Sequence, residues 1–350
     1  MRAVARWLVG VALIAASAAV AAGAAPPAAD KAAAPAEHIR GVEQTFLTYP
    51  EWFLVFSPAE YARYVARSSP DTFPFLGHVG QFWQGYAAVT RESHARGDAL
   101  NAGYHLMVMV IGVSTSIEYT LRSVYERLWG RLSQATSGAA TAEDMYAARA
   151  AQAYVDFIRE LPWYLYDFNG DLKALWTEVP WTGPDMPRKW ERRFALTTEY
   201  GIKALYGELI KLATGSIYDK PLLVTAVVVR PEPQPDASLP ELRVLDRLAD
   251  GDTLVTVPRY ESFTTYAKAL AGKGLDFTEI AGNRSIILVS LIGPDAWRPT
   301  EGIDRLLFEQ PILTEPGRKR IVSTVKVGRL AAALREWAAA GVQVEHLFDY

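Results

Sequence analysis

The chain has 350 residues, half of them apolar, enough to bury the cores of two domains of ordinary size. Its 36 Lys and Arg stand against 39 Asp and Glu, a formal net charge of −3, and no long run of one sign offers the footprint a phosphate backbone needs, so no nucleic-acid partner is expected. With no cysteine, the chain has no disulfide, thiolate metal site, cysteine nucleophile, iron–sulfur cluster or lipidated N-terminal cysteine.

Residues 1–24 open with Arg2 and Arg6 and continue into the uncharged stretch that runs from Trp7 to Ala25. That is the layout of an export signal, and Ala22 with Ala24, or Ala19 with Ala21, fits the small-x-small pattern of a cleavage site. The alternative is an uncleaved signal anchor, since about 18 apolar residues just reach across a hydrocarbon core of about 30 Å. Both readings place the protein in the cell envelope, either periplasmic or tethered to the cytoplasmic membrane. Residues 25–40 read as an Ala/Pro-rich linker.

Residues 41–220 read as an aromatic-rich helical domain, since eight of the ten Trp precede residue 191. Ser57, Pro58 and Glu60 form a capping-box pattern that predicts a helix from Pro58 to about Arg67, and Thr48 with Glu51 repeats the pattern. A helix over Asn101 to Leu132 carries only about a dozen apolar residues, Leu106 to Ile117, interrupted by Ser114, Thr115 and Ser116. That predicts a buried core helix rather than a membrane span, which needs about 20. Thr141 with Asp144 starts a helix in which Met145, Ala148, Ala151, Val155 and Ile158 repeat until Pro162. A further helix, from Pro187 to Gly215, carries a stripe of Phe194, Ile202, Leu205, Leu209 and Leu212 that predicts a core-facing side.

Residues 221–240 read as a strand, Leu222 to Val229, followed by a Pro-rich linker from Pro231 to Pro240 that forms the seam between two halves. Residues 241–350 alternate strand and helix signals. A strand at Thr253–Val257 leads to a helix at Ser262–Ala271. Strands at Asp276–Ile280 and Ser285–Ile292 follow, joined by a hairpin signal at Gly282-Asn283, then a strand at Arg320–Lys326, a helix with Leu330, Leu334 and Trp337 on one face, and a last strand through His346. The order fits a ferredoxin-like split βαβ domain, so the fold class expected overall is α + α/β. No internal repeat at a fixed period is visible.

The residues that could carry chemistry are few. Three of the five histidines, His78, His94 and His105, fall within 28 residues and form the candidate metal set, although none is spaced i, i+4 on one helix face. On a helical projection Gly112, Ser116, Tyr119 and Ser123 share one side with His105, a polar line that could bind a ligand, seat a haem or bond to neighbouring helices. His105 as base or ligand with Glu118 as partner is the candidate catalytic pair. His78, Gln81, Trp83, Ser116 and Tyr119 are candidate ligand contacts. Glycines 77 and 80 favour close helix packing around Trp83. Trp163, Trp181, Arg188, Lys189 and Trp190 combine aromatic and basic groups as a membrane interface does. No nucleophile elbow, P-loop or dinucleotide fingerprint occurs. These features support a non-enzymatic binding or scaffold protein on the periplasmic face of the membrane, whose partner is a membrane surface or an envelope protein. The alternatives are an enzyme with a His-centred site, holding a metal or haem, and small-molecule sensing near Gly272–Gly274 or His346.

Overall fold

The computed structural model describes residues 32–40, 44–214, 223–299 and 303–349. The expected export signal and residues 25–31 of the linker lie outside the described residues. The chain divides into two compact units, one built from Pro50–Trp83 and the described part of Asn101–Asp219, the other from the described parts of Ala24–Tyr49 and Lys220–Tyr350 together with Gln84–Leu100.

In the helical unit, α1 spans Gln44–Val65 and α2 Phe75–Arg96, each with its other end in the second unit. The capping-box pattern at Ser57 does not start a helix: α1 runs through both Pro50 and Pro58. An internal proline costs about 3 kcal/mol. Burial of Phe53 and Phe56 from the same helix offsets it. Ser57 bonds instead to Tyr119, and Thr48 and Glu51 are likewise interior helix positions. Next come α3, Ala102–Tyr125, a π-turn at Glu126–Gly130 and the short α4, Arg131–Gln134. Asn101 caps α3 by accepting from Tyr104 N at 3.0 Å. The Thr141–Asp144 capping box opens α5, Ala142–Ile158, as its spacing predicts. Asp167 caps α6, Phe168–Thr177, and α7 spans Met186–Thr214.

Among its described residues the second unit contains eight strands in two antiparallel sheets, and the ferredoxin-like arrangement expected from the sequence is not confirmed. The strands are β1 Val224–Arg230, β2 Arg243–Arg247, β3 Thr253–Pro258 and β4 Asp276–Ile280, then β5 Ile286–Pro294, β6 Arg305–Pro311, β7 Arg318–Lys326 and β8 Gln343–Leu347. Helix α8, Tyr260–Gly272, lies between β3 and β4, and α9, Leu330–Ala339, between β7 and β8. One sheet is ordered β2-β3-β1-β4 and the other β6-β7-β5-β8. The chain thus makes the same β-β-β-α-β module twice in succession. Even the irregularities recur: the first strand of each module meets the last across a bulge, at Val228/Val229 and at Ser290/Leu291. The second meets the third across another, at Val244/Asp246 and at Leu306/Phe308.

The two modules share one core. Val227, Val229, Val255 and Val257 from one sheet and Val289, Leu291, Ile321 and Val325 from the other join Phe263 and Leu270 of α8 and Leu334 and Trp337 of α9. The exchange is reciprocal, with α8 against β8 and α9 against β4. The Gly282-Asn283 turn is present, with Ile280 and Asn283 bonded in both directions, but its flanking strands diverge into different sheets. The Pro-rich stretch joins β1 to β2 of one sheet, and Leu239 within it is buried in the shared core, so it is not a seam between halves. The end of the Ala/Pro segment also belongs to this unit. Ala33 and Ala34 donate to the Glu279 carboxylate at 3.0 and 2.8 Å, and Ala34 with Ile39 covers Ala226, Val228 and Leu254.

Candidate functional site

Helix α3 is amphipathic in the inverse sense. Tyr104, Val108, Gly112, Tyr119 and Ser123 are buried, whereas Leu106, Met109, Val113, Ile117, Leu121 and Val124 are exposed, Leu121 to 66%. The exposed line continues through Leu128 and Leu132, both about three-fifths exposed. At 1.5 Å per residue it is about 39 Å long. The expectation that the apolar run is a buried core helix is therefore reversed: the polar line faces the neighbouring helices. Ser116 Oγ accepts from Trp83 Nε1 at 2.9 Å and donates to Gly112 O at 2.7 Å. Tyr119 shares a 2.8 Å hydrogen bond with Ser57. Burial pushes the Tyr119 hydroxyl up to about 12, against the opposing pull of that bond. The close approach falls at Gly112, where a Cβ would stand 2.3 Å from Phe82. Gly80 has open space around it instead of the close packing expected there.

The partner of α3 is α7, whose buried side is charged. Lys189 and Arg193 share Glu143 at 2.8 and 2.6 Å, and Arg192 forms a two-pronged pair with Glu126 at 2.9 Å. Arg188 reaches Asp144 at 2.8 Å, Gly130 O and Ser133 Oγ at 3.1 Å, and Glu191 at 3.2 Å. Arg188 and Lys189 are 1% and 4% exposed, so neither can meet headgroups as the aromatic-basic pattern led us to expect. With these four cations turned inward beside Leu196 and Tyr200, the stripe of Phe194, Ile202 and Leu205 is left outside, 54–63% exposed, and does not face a core. Leu209 is half-buried, and the side chain of Leu212 lies outside the described residues.

The pairs Glu118–Lys203, Arg122–Glu199 and Glu126–Arg192 show that α3 and α7 run antiparallel. On both helices residues turned toward the partner follow exposed ones by a single position: Glu118 after Ile117 and Arg122 after Leu121 on α3, Glu199 after Thr198 and Lys203 after Ile202 on α7. One residue is a 100° rotation. For two antiparallel helices the same offset puts both exposed sides in the same direction. Leu121, Val124, Phe194, Ile202 and their neighbours therefore form one two-helix apolar platform. Contiguous apolar surface of this kind marks an interaction site. No helix among the described residues is long and apolar enough to cross a membrane.

The histidines do not assemble. His78 is fully buried, its ring stacked on Phe73 at 4.7 Å and Nε2 3.6 Å from Glu60. His105 is half-buried near the start of α3, about 20 Å along the helix from Glu118, which pairs instead with Arg122 and Lys203. The pair cannot act together on one bond. His94 is exposed near the end of α2, and no group able to hold a metal occurs among the described residues. Gln81 is buried, and Trp83 is held by Ser116. Trp163 is half-buried and stacked on Tyr206, whereas Trp181 and Trp190 are 52% and 42% exposed.

No family model, curated protein or solved structure matches this chain.

The second unit offers a shallow groove beside Gly272, lined by Lys268, Leu334, Arg335, Ala338 and Val342. Arg335 at its rim is already engaged by Ala271 O at 3.0 Å and Asp276 at 3.3 Å. His346 is buried edge-on to Phe348, and burial lowers its pKa. Sequence reasoning missed the platform because helical periodicity locates an apolar side without saying whether protein or something else covers it. The available signal was the charge on α7: four cations at i, i+1, i+4 and i+5 cannot share a side with its apolar residues.

Proposed function

We propose that this is a non-enzymatic cell-envelope protein, exported to the periplasmic side, that attaches to a lipid bilayer through the α3–α7 platform and holds its two-sheet unit there as a scaffold. The observation that carries this reading is the inverted burial of α3, with leucine, isoleucine, valine and methionine outside and hydroxyls and glycine inside. Half-burying one such side chain gains about 1 kcal/mol. Eight positions in one line, with the α7 residues beside them, suffice for reversible interfacial binding. The helix lies along the surface in this reading, because its inner side is committed to Phe82, Trp83 and Ser57 within its own unit.

Flotation of the purified chain with phospholipid vesicles tests the reading. The protein is expected to rise with the vesicles, and I117E/L121E to remain at the bottom of the gradient while its circular dichroism is unchanged. A wild-type chain that stays at the bottom with every vesicle composition rules the reading out.

A further inference from the structure

Resting on that reading, we infer that the platform selects anionic headgroups and that Arg127 and Arg131 make the selection. Six cationic side chains cluster where α4 meets the start of α7, and they divide into two kinds. Arg188, Lys189, Arg192 and Arg193 are buried against carboxylates. Arg127 and Arg131 are exposed, and among the described residues neither takes part in an ion pair. They alternate with the exposed Leu128, Trp129 and Leu132, so cations and apolar groups emerge from the same turn.

Three of the carboxylates at this end are already taken up by buried cations, whereas Asp185 meets a neutral N–H and keeps its charge. Glu126 is held by Arg192, Glu191 by Arg188 and Arg192, and Asp144 by Arg188, while Asp185 accepts from Gly138 N at 3.4 Å. The Arg188 bonds to Gly130 and Ser133 fix the start of α7 beside this turn, which brings Trp190 to the same end as Trp129, with Trp181 6.3 Å from Trp190. Three exposed indoles and two unpaired guanidiniums at one end of an apolar strip are the groups that settle at headgroup level. Within α3 itself no Lys or Arg precedes Arg122, so its start carries no such pair of arginines. The platform therefore sits with its Arg127–Arg131 end against phosphate, and an anionic phospholipid supplies the complementary charge.

The test measures binding of the full chain to vesicles of phosphatidylcholine and to vesicles in which one lipid in three is phosphatidylglycerol, for the wild type and R127Q/R131Q. Near an anionic surface each arginine contributes about fivefold. Wild type is therefore expected to prefer the anionic vesicles by about 30-fold, and the variant to lose that preference while keeping its binding to phosphatidylcholine. Equal wild-type affinity for both vesicles overturns the headgroup inference and leaves bilayer attachment standing. Binding to neither vesicle, with a dimer in solution that I117E/L121E separates, overturns both and makes a second copy of this chain the occupant.

Discussion

The two units bury opposite things. In the two-sheet unit the central strands β1, β5 and β7 carry valine, leucine and isoleucine into a core completed by Phe263, Leu334 and Trp337. In the helical unit the contact between α3 and α7 is made by carboxylates and guanidiniums, and the aliphatic residues of both helices stand outside. Buried ion pairs are weak evidence for stability, because desolvation offsets most of their attraction. They do fix which sides of two helices meet. That order leaves the apolar sides of both helices exposed, which is the basis of the bilayer attachment proposed above.

Breaking the ionic side of this contrast is expected to have the largest effect. Glu143 is fully buried and shared by Lys189 and Arg193, so Glu143→Ala leaves two buried cations without their carboxylate. A loss of about 3–5 kcal/mol in urea-unfolding stability is expected. Truncation in the other unit sharpens the comparison: Leu288→Ala, at a position with no exposure, should cost about 2–5 kcal/mol, whereas Leu121→Ala should change stability by no more than about 0.5 kcal/mol. Equal costs for the two leucines would mean that the α3 stripe is not exposed in the free protein.

A smaller, pH-dependent share separates the units as well. Burial opposes ionisation of Glu199, but Arg122 and Lys203 outweigh it and hold its pKa down to about 2 from an ordinary 4.5. A depressed carboxyl contributes stability that is full above 4.5 and is lost as the pH falls toward 2. The helical unit is therefore expected to weaken through that window, and Glu199→Gln to flatten the stability profile there when unfolding is followed at successive pH values.

Where apolar residues ended inside, the sequence was legible. The strands at 253, 276, 286, 318 and 343, the helices α8 and α9 between them and the Thr141 cap follow from period and capping chemistry, within a few residues. The repeat was not, because its second strand, β2 in the first module and β6 in the other, is fully or mostly exposed and leaves no apolar alternation to read. Without those two strands the repeated connectivity has the outline of a single ferredoxin-like domain. The start of α1 was hidden by Pro50 and Pro58, which imitate a helix start when seen without the aromatic burial that carries the helix through them. The histidine site failed for a geometric reason: Glu118 lies about 20 Å along α3 from His105 and about 140° around it, where it meets Arg122 and Lys203.

The absence of cysteine in this chain allows the central claim to be tested one position at a time. Single cysteines at Ile117, Phe194 and Lys173, each carrying an environment-sensitive fluorophore, would report on α3, on α7 and on the exposed side of α6. On addition of anionic vesicles the emission at 117 and at 194 is predicted to shift to the blue together, with none at 173. No shift at 117 and 194, or the same shift at all three, would contradict a bilayer-facing platform shared by the two helices.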